Sequence, residues 1–319
     1  MGRHGAALVV PTMSLALIFP GQGSQVVGMA QALAASEPAA AAVLAAADEV
    51  LGFSLTALMA DGPQDELTAT KNAQPALLAH SVAVLRVVQG RVGTISFAAG
   101  HSLGEFSAHV AAGTLTFEDA LSAVRLRGEL MFAAGQERPG TMAAVLGLDD
   151  ALLEDVCNSV DVGVCVPANF NSAGQVVISG DLLGVAQGME RAKEAGAKRV
   201  VQLNVSGAFH SPLMEPAATG LRKKLEAIEF RDPEYPVMSN VTAGPVSDGA
   251  EARELLVRQL TSPVRWSASV AAMVAAGVDS FLELGPGNVL CGLNRRNAKG
   301  ISCFSLGEPA DLESFENDA

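Results

Sequence analysis

The sequence is poor in cysteine, in positive charge and in long apolar runs, and each scarcity excludes a class of protein. Its 319 residues contain no run approaching the roughly 20 apolar residues that a membrane-spanning helix needs. Lysine and arginine number 21 against 34 acidic residues, a formal charge of −13, which argues against nucleic acid as a partner. The four cysteines are scattered without metal-ligand spacing: Cys157, Cys165, Cys291 and Cys303. We expect small buried thiols in a reducing cytoplasm, with a disulfide as the alternative.

Apolar residues, by contrast, are abundant. At 49% of the chain they supply a core for one large domain, or for a large domain with a smaller one inserted. Residues 1–13 are interpreted as a tail or an upstream start, because Pro11 breaks their apolar patch and Met13 opens onto the first strand. A cleaved signal peptide is the alternative.

Short apolar strands alternate with helical segments in the first part of the chain. Residues 15–19 and 94–100 have the pattern of buried strands. Pro75 and Gly90 mark the predicted start and end of one helix, and Thr116 is a predicted N-cap of the next. This alternation predicts an α/β fold whose parallel sheet is covered on both faces.

From about residue 139 the order changes to βαββαβ, the ferredoxin-like plan, over about 65 residues. Residues 139–205 are therefore predicted to form a small subdomain inserted into a larger, α/β-hydrolase-like one. The larger subdomain is predicted to comprise residues 14–138 and 206–306. Residues 307–319 are predicted to form an acidic tail.

Residues 100–104, with the sequence GHSLG, fit the G-x-S-x-G nucleophile elbow. A serine on a sharp turn between strand and helix needs small neighbours, since larger side chains would collide with adjacent strands. The turn would aim the Ser102 hydroxyl outward and leave the Leu103 N–H free to stabilise an oxyanion. The alternative is a glycine-flanked turn whose serine has no function.

A nucleophilic serine needs a base, and the sequence offers five histidines. His4 lies in the predicted tail, His80 and His109 lie within helical segments, and His101 should point away from its neighbour Ser102. His210 remains. It precedes a predicted helix start, where the helix dipole helps keep the imidazole neutral. A structural loop histidine is the alternative.

Two arginines occupy different faces of the helix that follows Thr116. Helical spacing predicts that Arg125 is exposed and that Arg127 points into the protein. A buried guanidinium needs a partner, and its planar shape suits a carboxylate. That carboxylate belongs either to the protein, such as Glu105, or to a substrate.

The glycine loop FPGQGSQ after the first strand is a weaker signal. It lacks the lysine of a P-loop and the full dinucleotide-binding glycine pattern. Its backbone N–H groups could supply a second oxyanion donor.

Taken together, these segments resemble the malonyl-CoA:acyl-carrier-protein transacylase family, the loading enzymes of fatty acid synthesis and the acyltransferase domains of polyketide synthases. The likeness covers nearly the whole chain from residue 17 and runs, in the family's order, through LIFPGQGSQ, QPALLAHSVAV, GHSLGEFSA, RLRGELM, SGAFHSPLM, QLTSPVRW and ELGPGNVL. So many ordered matches make coincidence a poor explanation.

The resemblance implies a role for each matching residue. Ser102 would be the nucleophile that takes the acyl group, His210 the general base and acid, and Arg127 the residue that holds the malonyl carboxylate. The segment GAFH resembles the malonyl-selecting form of the histidine motif.

Three further matches concern backbone groups. The N–H groups of Gln22 and Leu103 would form the oxyanion hole, and the main-chain carbonyl of Gln259 would orient the histidine. A carbonyl can fix the histidine tautomer without adding charge, which accounts for the lack of an acidic triad member.

The activity that the resemblance implies is transfer of malonyl from malonyl-CoA to the phosphopantetheine thiol of acyl carrier protein, by a ping-pong mechanism, in the cytoplasm. It implies no metal, no bound cofactor, no nucleic acid and no membrane. The alternatives are a serine thioesterase or hydrolase, or an acyltransferase of a polyketide pathway. Candidate basic segments for docking the carrier protein lie at 198–199, 222–224 and 294–299.

Overall fold

The computed structural model describes residues 14–318, so the predicted tail at 1–13 lies outside the described residues. In chain order the described strands are β1 (Leu15–Phe19), β2 (Ile95–Gly100), β3 (Gly140–Leu146), β4 (Cys165–Ser172), β5 (Gln175–Asp181), β6 (Arg199–Gln202), β7 (Val237–Met238), β8 (Pro245–Val246), β9 (Ser280–Leu284) and β10 (Ser302–Leu306). The helices are α1 (Gln31–Ser36), α2 (Pro38–Leu51), α3 (Leu55–Asp61), α4 (Gln64–Thr68), α5 (Thr70–Val88), α6 (Gly104–Ala111), α7 (Phe117–Glu137), α8 (Asp150–Ser159), α9 (Leu182–Glu194), α10 (Glu215–Glu226), α11 (Gly249–Arg258), α12 (Trp266–Ala275), α13 (Val289–Asn297) and α14 (Pro309–Asp318). Short 3₁₀ turns lie at Pro212–Met214 and Gln259–Thr261.

The first sheet has the strand order β10-β9-β1-β2-β7-β8, and every pair except β7 with β8 is parallel. Strands β1 and β9 are buried along their whole length, as continuous apolar runs predict for strands covered on both faces. Phe19 at the end of β1 lies opposite Gly100 at the end of β2. The loops that leave these two strands therefore start side by side at the carboxyl edge of the sheet. The predicted α/β fold with a parallel sheet is confirmed.

The second sheet has the order β4-β5-β3-β6 and is antiparallel throughout. Helices α8 and α9 pack on it through a cluster of apolar side chains that includes Leu153, Val185 and Ile178. Backbone hydrogen bonds join the two parts of the chain: Val264 donates to Ala168 at 2.8 Å and accepts from Phe170 at 2.9 Å. These bonds hold the middle of β4 near the segment that enters α12.

Helices α5 and α7 pack against each other through an arrangement that the sequence did not predict. Helix α5 begins at Thr70 rather than Pro75, so the proline lies inside it. Proline has no N–H to donate to the carbonyl four residues earlier, that of Lys71. Arg125 donates to this carbonyl at 3.1 Å and to the Asn72 side chain at 2.7 Å. Because of these contacts Arg125 is half-buried, and the prediction that it is exposed was wrong.

The expectation of four unpaired cysteines is also wrong for two of them. A disulfide joins Cys291 in α13 to Cys303 in β10. Helix α13 packs beside the edge strand, which brings the two Cα atoms to 5.4 Å, within the range that a disulfide requires. Cys157 and Cys165 are unpaired and buried, as expected.

The acidic C-terminal segment differs from the predicted tail, since residues 309–318 form α14. Leu312 is buried in the core and the Phe315 ring packs edge-on against Phe304 of β10, at 5.5 Å between centroids. These apolar residues, spaced by three, give the segment a face that docks on the sheet. Within residues 14–318, none of the helices has the length and apolar character needed to cross a membrane.

Candidate active site

The serine of the G-x-S-x-G segment lies between β2 and α6, on the tight turn predicted for it. Ser102 has a φ of 52°, in the left-handed region that non-glycine residues rarely adopt. A Cβ on Gly100 would lie 1.8 Å from the carbonyl carbon of Gly104, and a Cβ on Gly104 would lie 2.2 Å from the Phe19 oxygen. No side chain fits at either flank, so the two glycines are what allow this turn to sit against β1.

Asn240, which follows β7, stabilises the serine turn through hydrogen bonds to its backbone. Its Oδ1 accepts from the Ser102 N–H at 2.7 Å, and its Nδ2 donates to the Gly100 carbonyl at 2.7 Å. Its own N–H donates to the Glu105 carboxylate at 3.2 Å. Asn240 thus fixes the strained backbone on both sides of the serine, a role that the sequence analysis missed.

His210 lies within hydrogen-bond distance of the serine. Its Nε2 is 2.8 Å from Ser102 Oγ, and its Nδ1 is 2.8 Å from the main-chain oxygen of Gln259. A carbonyl can only accept, so Nδ1 carries the proton and Nε2 is free to accept from the serine hydroxyl. Ser211 caps the 3₁₀ turn that follows by accepting from the Leu213 N–H. The structure therefore brings the histidine singled out from the sequence into hydrogen-bond contact with Ser102, and its role as the base stays a prediction.

The electrostatic surroundings keep His210 neutral. The pKa of His210 is lowered to about 3: burial is the largest cause and the charge of Arg127 adds to it, while the hydrogen bond to the Gln259 carbonyl acts in the opposite direction. At neutral pH the imidazole is uncharged and able to take a proton.

Arg127 points inward, as predicted, and is 1% exposed. Its Nη1 donates to Gln74 Oε1 at 2.7 Å, and its Nη2 donates to Gln259 Oε1 at 2.9 Å and to Ser102 Oγ at 3.2 Å. These acceptors are all neutral. Among the described residues no carboxylate is hydrogen-bonded to this guanidinium, and its buried Nε has no acceptor. Burial lowers the pKa of Arg127 to about 10, so it stays charged.

Glu105, the protein carboxylate considered as a partner for Arg127, does not touch it. It raises the pKa of Arg127 through its charge alone, and Gln259 lies between the two side chains. Of the two alternatives drawn from the sequence, a direct ion pair within the protein is therefore absent from the described structure.

The two residues predicted to form an oxyanion hole both line the same cleft. Leu103 follows the serine at the start of α6, and Gln22 lies in the glycine loop after β1. In the part of the chain that the structure describes, neither N–H has a hydrogen-bond acceptor. The loop packs closely on the elbow, since a Cβ on Gly21 would lie 2.5 Å from the His101 oxygen. The Gln22 side-chain Nε2 donates a hydrogen bond to Thr70 Oγ1 at 3.2 Å.

The cleft above Ser102 has a volume of about 200 Å³ and lies between the two sheets. Its floor is polar, formed by the serine, histidine and arginine. Its walls include the apolar side chains of Met131, Met142, Leu203 and Phe209. A small acyl group with one charged end would match this division of polar floor and apolar wall.

The remaining histidines lie apart from the serine hydroxyl. His101 lines the cleft, but its Nε2 bonds Asn171 Oδ1 at 2.8 Å, which turns the ring away from Ser102 as expected. His80 and His109 are buried in α5 and α6, and burial lowers their pKa to about 4 and about 3. His4 lies outside the described residues.

A serine hydroxyl next to a neutral imidazole, at the carboxyl edge of a parallel sheet and in a cleft lined by two residues whose N–H groups have no acceptor, is typical of enzymes that pass an acyl group through a serine ester.

Comparison with known proteins narrows this class. The acyl transferase domain family matches residues 16–307. A malonyl CoA-acyl carrier protein transacylase of Bacillus subtilis (strain 168) is 46% identical over 301 residues, covering 94% of this chain and 95% of that protein. One of Escherichia coli (strain K12) is 46% identical over 299 residues, covering 93% and 97%. A malonyl-transacylase solved in complex with a type II PKS acyl-carrier protein superposes with a TM-score of 0.92 at 43% identity, covering 96% and 100%. The chain therefore belongs to the acyl transferase family, among its malonyl CoA-acyl carrier protein transacylases.

Proposed function

We propose that this protein transfers malonyl from malonyl-CoA to the phosphopantetheine thiol of acyl carrier protein, through a malonyl ester on Ser102. The observation that carries the proposal is the buried guanidinium of Arg127, without a carboxylate partner, 3.2 Å from the hydroxyl that His210 activates. A free cation at that distance from a nucleophile favours an acyl group that carries its own acid.

The first half-reaction forms the ester. Ser102 Oγ attacks the thioester carbonyl and gives its proton to His210 Nε2, while Nδ1–H stays bonded to the Gln259 carbonyl. The N–H groups of Gln22 and Leu103 stabilise the oxyanion of the tetrahedral intermediate. Collapse of the intermediate breaks the carbon–sulfur bond, and His210 returns the proton to the CoA thiolate.

The second half-reaction reverses the roles. The phosphopantetheine thiol gives its proton to His210 and attacks the ester carbonyl. The same two N–H groups stabilise the second intermediate. The proton on His210 then passes to Ser102 Oγ as it leaves, which regenerates the free enzyme. These two half-reactions require no metal and no bound organic cofactor.

Arg127 supplies selectivity. In a malonyl ester the free carboxylate is separated from the ester carbonyl by a single methylene, so a guanidinium beside Ser102 Oγ can hold it while the acyl group reacts. A site built around a charged group rejects an acyl group that lacks the partner, because the charge then stays desolvated and unpaired.

The two sheets suggest two subdomains with different roles in the site. We propose that residues 14–138 and 206–306 form an α/β-hydrolase-like subdomain that carries Ser102, His210 and Arg127, and that residues 139–205 form a ferredoxin-like subdomain that closes the cleft. The strand order β4-β5-β3-β6 of the second sheet supports the second assignment.

The segment at 294–299 is the favoured docking site for the carrier protein. Arg295 and Arg296 are exposed at the end of α13, and the neighbouring Asn297 donates to the Asn171 carbonyl at 2.8 Å. Asn171 in turn bonds His101 at the cleft. Residues 222–224 are the alternative docking site, but part of their positive charge is neutralised, since Arg222 forms an ion pair with Glu254 at 2.7 Å.

The pathway proposed is fatty acid synthesis, as in the family resemblance, with polyketide synthesis as the alternative. The proposed location is the cytoplasm, because the substrates are a coenzyme A thioester and a carrier protein. The cysteines no longer support that location, because one pair forms a disulfide, which is rare in reducing compartments.

A serine hydrolase is the second candidate, since the same nucleophile could pass the malonyl group to water. Incubation with malonyl-CoA, with and without phosphopantetheinylated carrier protein, separates the two. A transferase forms a malonyl-enzyme adduct and then malonyl carrier protein, both visible by intact mass. Ser102→Ala should form neither. Free malonate released at the same rate with and without carrier protein would refute the transferase.

A further inference from the structure

The carboxylate of Glu105 has no part in the proposed chemistry, yet it lies three residues after the nucleophile and is 1% exposed. It is the second residue of α6. Its Oε2 accepts from the Gln259 side-chain Nε2 at 2.5 Å and from the Asn240 N–H at 3.2 Å. A buried carboxylate without a cationic contact is costly to keep, so its retention calls for an explanation.

The partner of this carboxylate, Gln259, connects the two halves of the site. Its main-chain oxygen accepts from His210 Nδ1, and its side-chain Oε1 accepts from Arg127 Nη2. The same residue therefore orients the base through its backbone and holds the cation through its side chain. It is fully buried, so water does not compete for either group.

The side-chain amide of Gln259 can face these neighbours in only one way. Its Nε2 donates to the Glu105 carboxylate and, at 2.9 Å, to the Ser102 carbonyl, which can only accept. A flipped amide would place its N–H groups against the guanidinium N–H groups of Arg127 and its oxygen against the Ser102 carbonyl oxygen. Both contacts would be repulsive.

We propose that Glu105 is a positioning residue for malonyl recognition: its carboxylate holds the Gln259 amide in the orientation that presents Oε1 to Arg127, and so aims the guanidinium at the acyl carboxylate beside Ser102. The proposal rests on the assigned roles of Arg127 and Ser102. It predicts that loss of the acceptor at residue 105 damages malonyl recognition more than it damages the serine chemistry itself.

The charges around Glu105 are consistent with this role. Arg127 on α7 is the charged group that faces it, and the two nearby imidazoles, His210 and His101, have pKa values lowered by burial and stay neutral. Burial raises the pKa of Glu105 to about 7, while Gln259, Asn240 and Arg127 oppose that rise.

Two substitutions of Glu105 distinguish the loss of its hydrogen-bond acceptor from the loss of its negative charge. Glu105→Gln keeps a carbonyl oxygen for the two donors, Asn240 N–H and Gln259 Nε2, but removes the charge. Glu105→Leu removes both. The measurement is the rate of acyl-enzyme formation with malonyl-CoA and with acetyl-CoA, each as kcat/KM and KM from thiol release.

For Glu105→Leu we expect the malonyl-to-acetyl ratio of kcat/KM to fall about 10- to 100-fold, the size of one hydrogen bond to a charged group. For Glu105→Gln we expect a ratio within about threefold of the parent and no rise in KM for malonyl-CoA, since the orienting oxygen remains. Equal losses with both substrates in Glu105→Leu would overturn the proposal, because they would indicate only a damaged elbow. A Glu105→Gln ratio as low as that of Glu105→Leu would also overturn it.

Glu283 provides a matched control. It is equally buried and accepts from two backbone N–H groups, those of Leu290 and Cys291 at the start of α13, and from no residue that lines the cleft. Glu283→Leu should lower Tm and leave the ratio unchanged. Should Glu105→Leu fail to fold, Glu105→Gln still tests the proposal, because a rise in its KM for malonyl-CoA or a fall in its ratio would overturn it. A parent enzyme that forms no malonyl adduct would refute the proposed function itself, a separate outcome.

Discussion

The replacement of Arg127 by alanine tests the origin of selectivity most directly. The substitution removes the only cation within hydrogen-bond distance of Ser102 Oγ in the described structure, at 3.2 Å. Truncating one partner of a buried charge pair costs about 2–5 kcal/mol, which corresponds to a loss of about 30- to 5,000-fold in kcat/KM for malonyl-CoA. The substitution also leaves Gln74 Oε1 and Gln259 Oε1 without their donor, a cost that falls on every substrate alike.

Acetyl-CoA isolates the part of the effect that belongs to the carboxylate. In the Arg127→Ala variant, reaction with acetyl-CoA also suffers from the two unpaired amide oxygens, but acetyl has no carboxylate whose ion pair is lost. Its kcat/KM should therefore fall by about tenfold at most. Removal of the guanidinium also removes a charge that lowers the pKa of His210, which favours acylation. The malonyl-to-acetyl ratio of kcat/KM should therefore fall by about 30- to 5,000-fold, measured by stopped-flow thiol release.

The control for Arg127 lies on the same helix. Arg125 holds the Lys71 carbonyl and the Asn72 side chain but does not line the cleft. Arg125→Ala should lower Tm and leave the ratio intact. A parallel loss of malonyl and acetyl transfer in Arg127→Ala would refute the assignment of Arg127 to the substrate carboxylate.

The remaining predictions concern the base and the carrier protein. His210 acts in its neutral form, and its lowered pKa means that protonation disables it only near pH 3. The kcat/KM for acylation should therefore lack an inflection near pH 6.5, and a loss of rate on acidification through that pH would contradict the burial of the imidazole. Arg295→Ala with Arg296→Ala should raise KM for carrier protein and flatten its salt dependence, leaving acylation by malonyl-CoA unchanged. Lys223→Ala with Lys224→Ala is the matched control, and an equal effect there would indicate general charge rather than a docking site.

Local signals made much of the site predictable. The serine turn is encoded within five residues, because only glycine fits at Gly100 and Gly104. The inward face of Arg127 follows from helical periodicity, since neighbouring positions on its face are apolar. His210 was reached by excluding the other histidines. The first two inferences needed information from a single element of secondary structure, and the third needed only the positions of five histidines.

The supporting residues could not be predicted in the same way. Asn240 reaches the Ser102 N–H across 138 positions of sequence, and Gln74 reaches Arg127 across 53. An amide side chain carries no periodic signature, and its partner is set by tertiary packing alone. The Cys291–Cys303 disulfide, which the sequence left only as an alternative without a pairing, and the half-burial of Arg125 depend in the same way on which helix lies against which strand or helix.

On the proposed mechanism, the malonyl carboxylate supplies the negative charge that the described active site does not place in contact with Arg127. In the described structure Arg127 has neutral acceptors and a buried Nε without a partner, and its charge lowers the pKa of the very imidazole that must accept the serine proton. A malonyl carboxylate bound to the guanidinium would offset that charge and so raise the basicity of His210. An acetyl group would leave the cation uncompensated while His210 becomes positive, which places two like charges in one desolvated cleft. Discrimination between the two acyl groups would thus arise in the proton transfer as well as in binding, and it should appear in kcat as well as in KM.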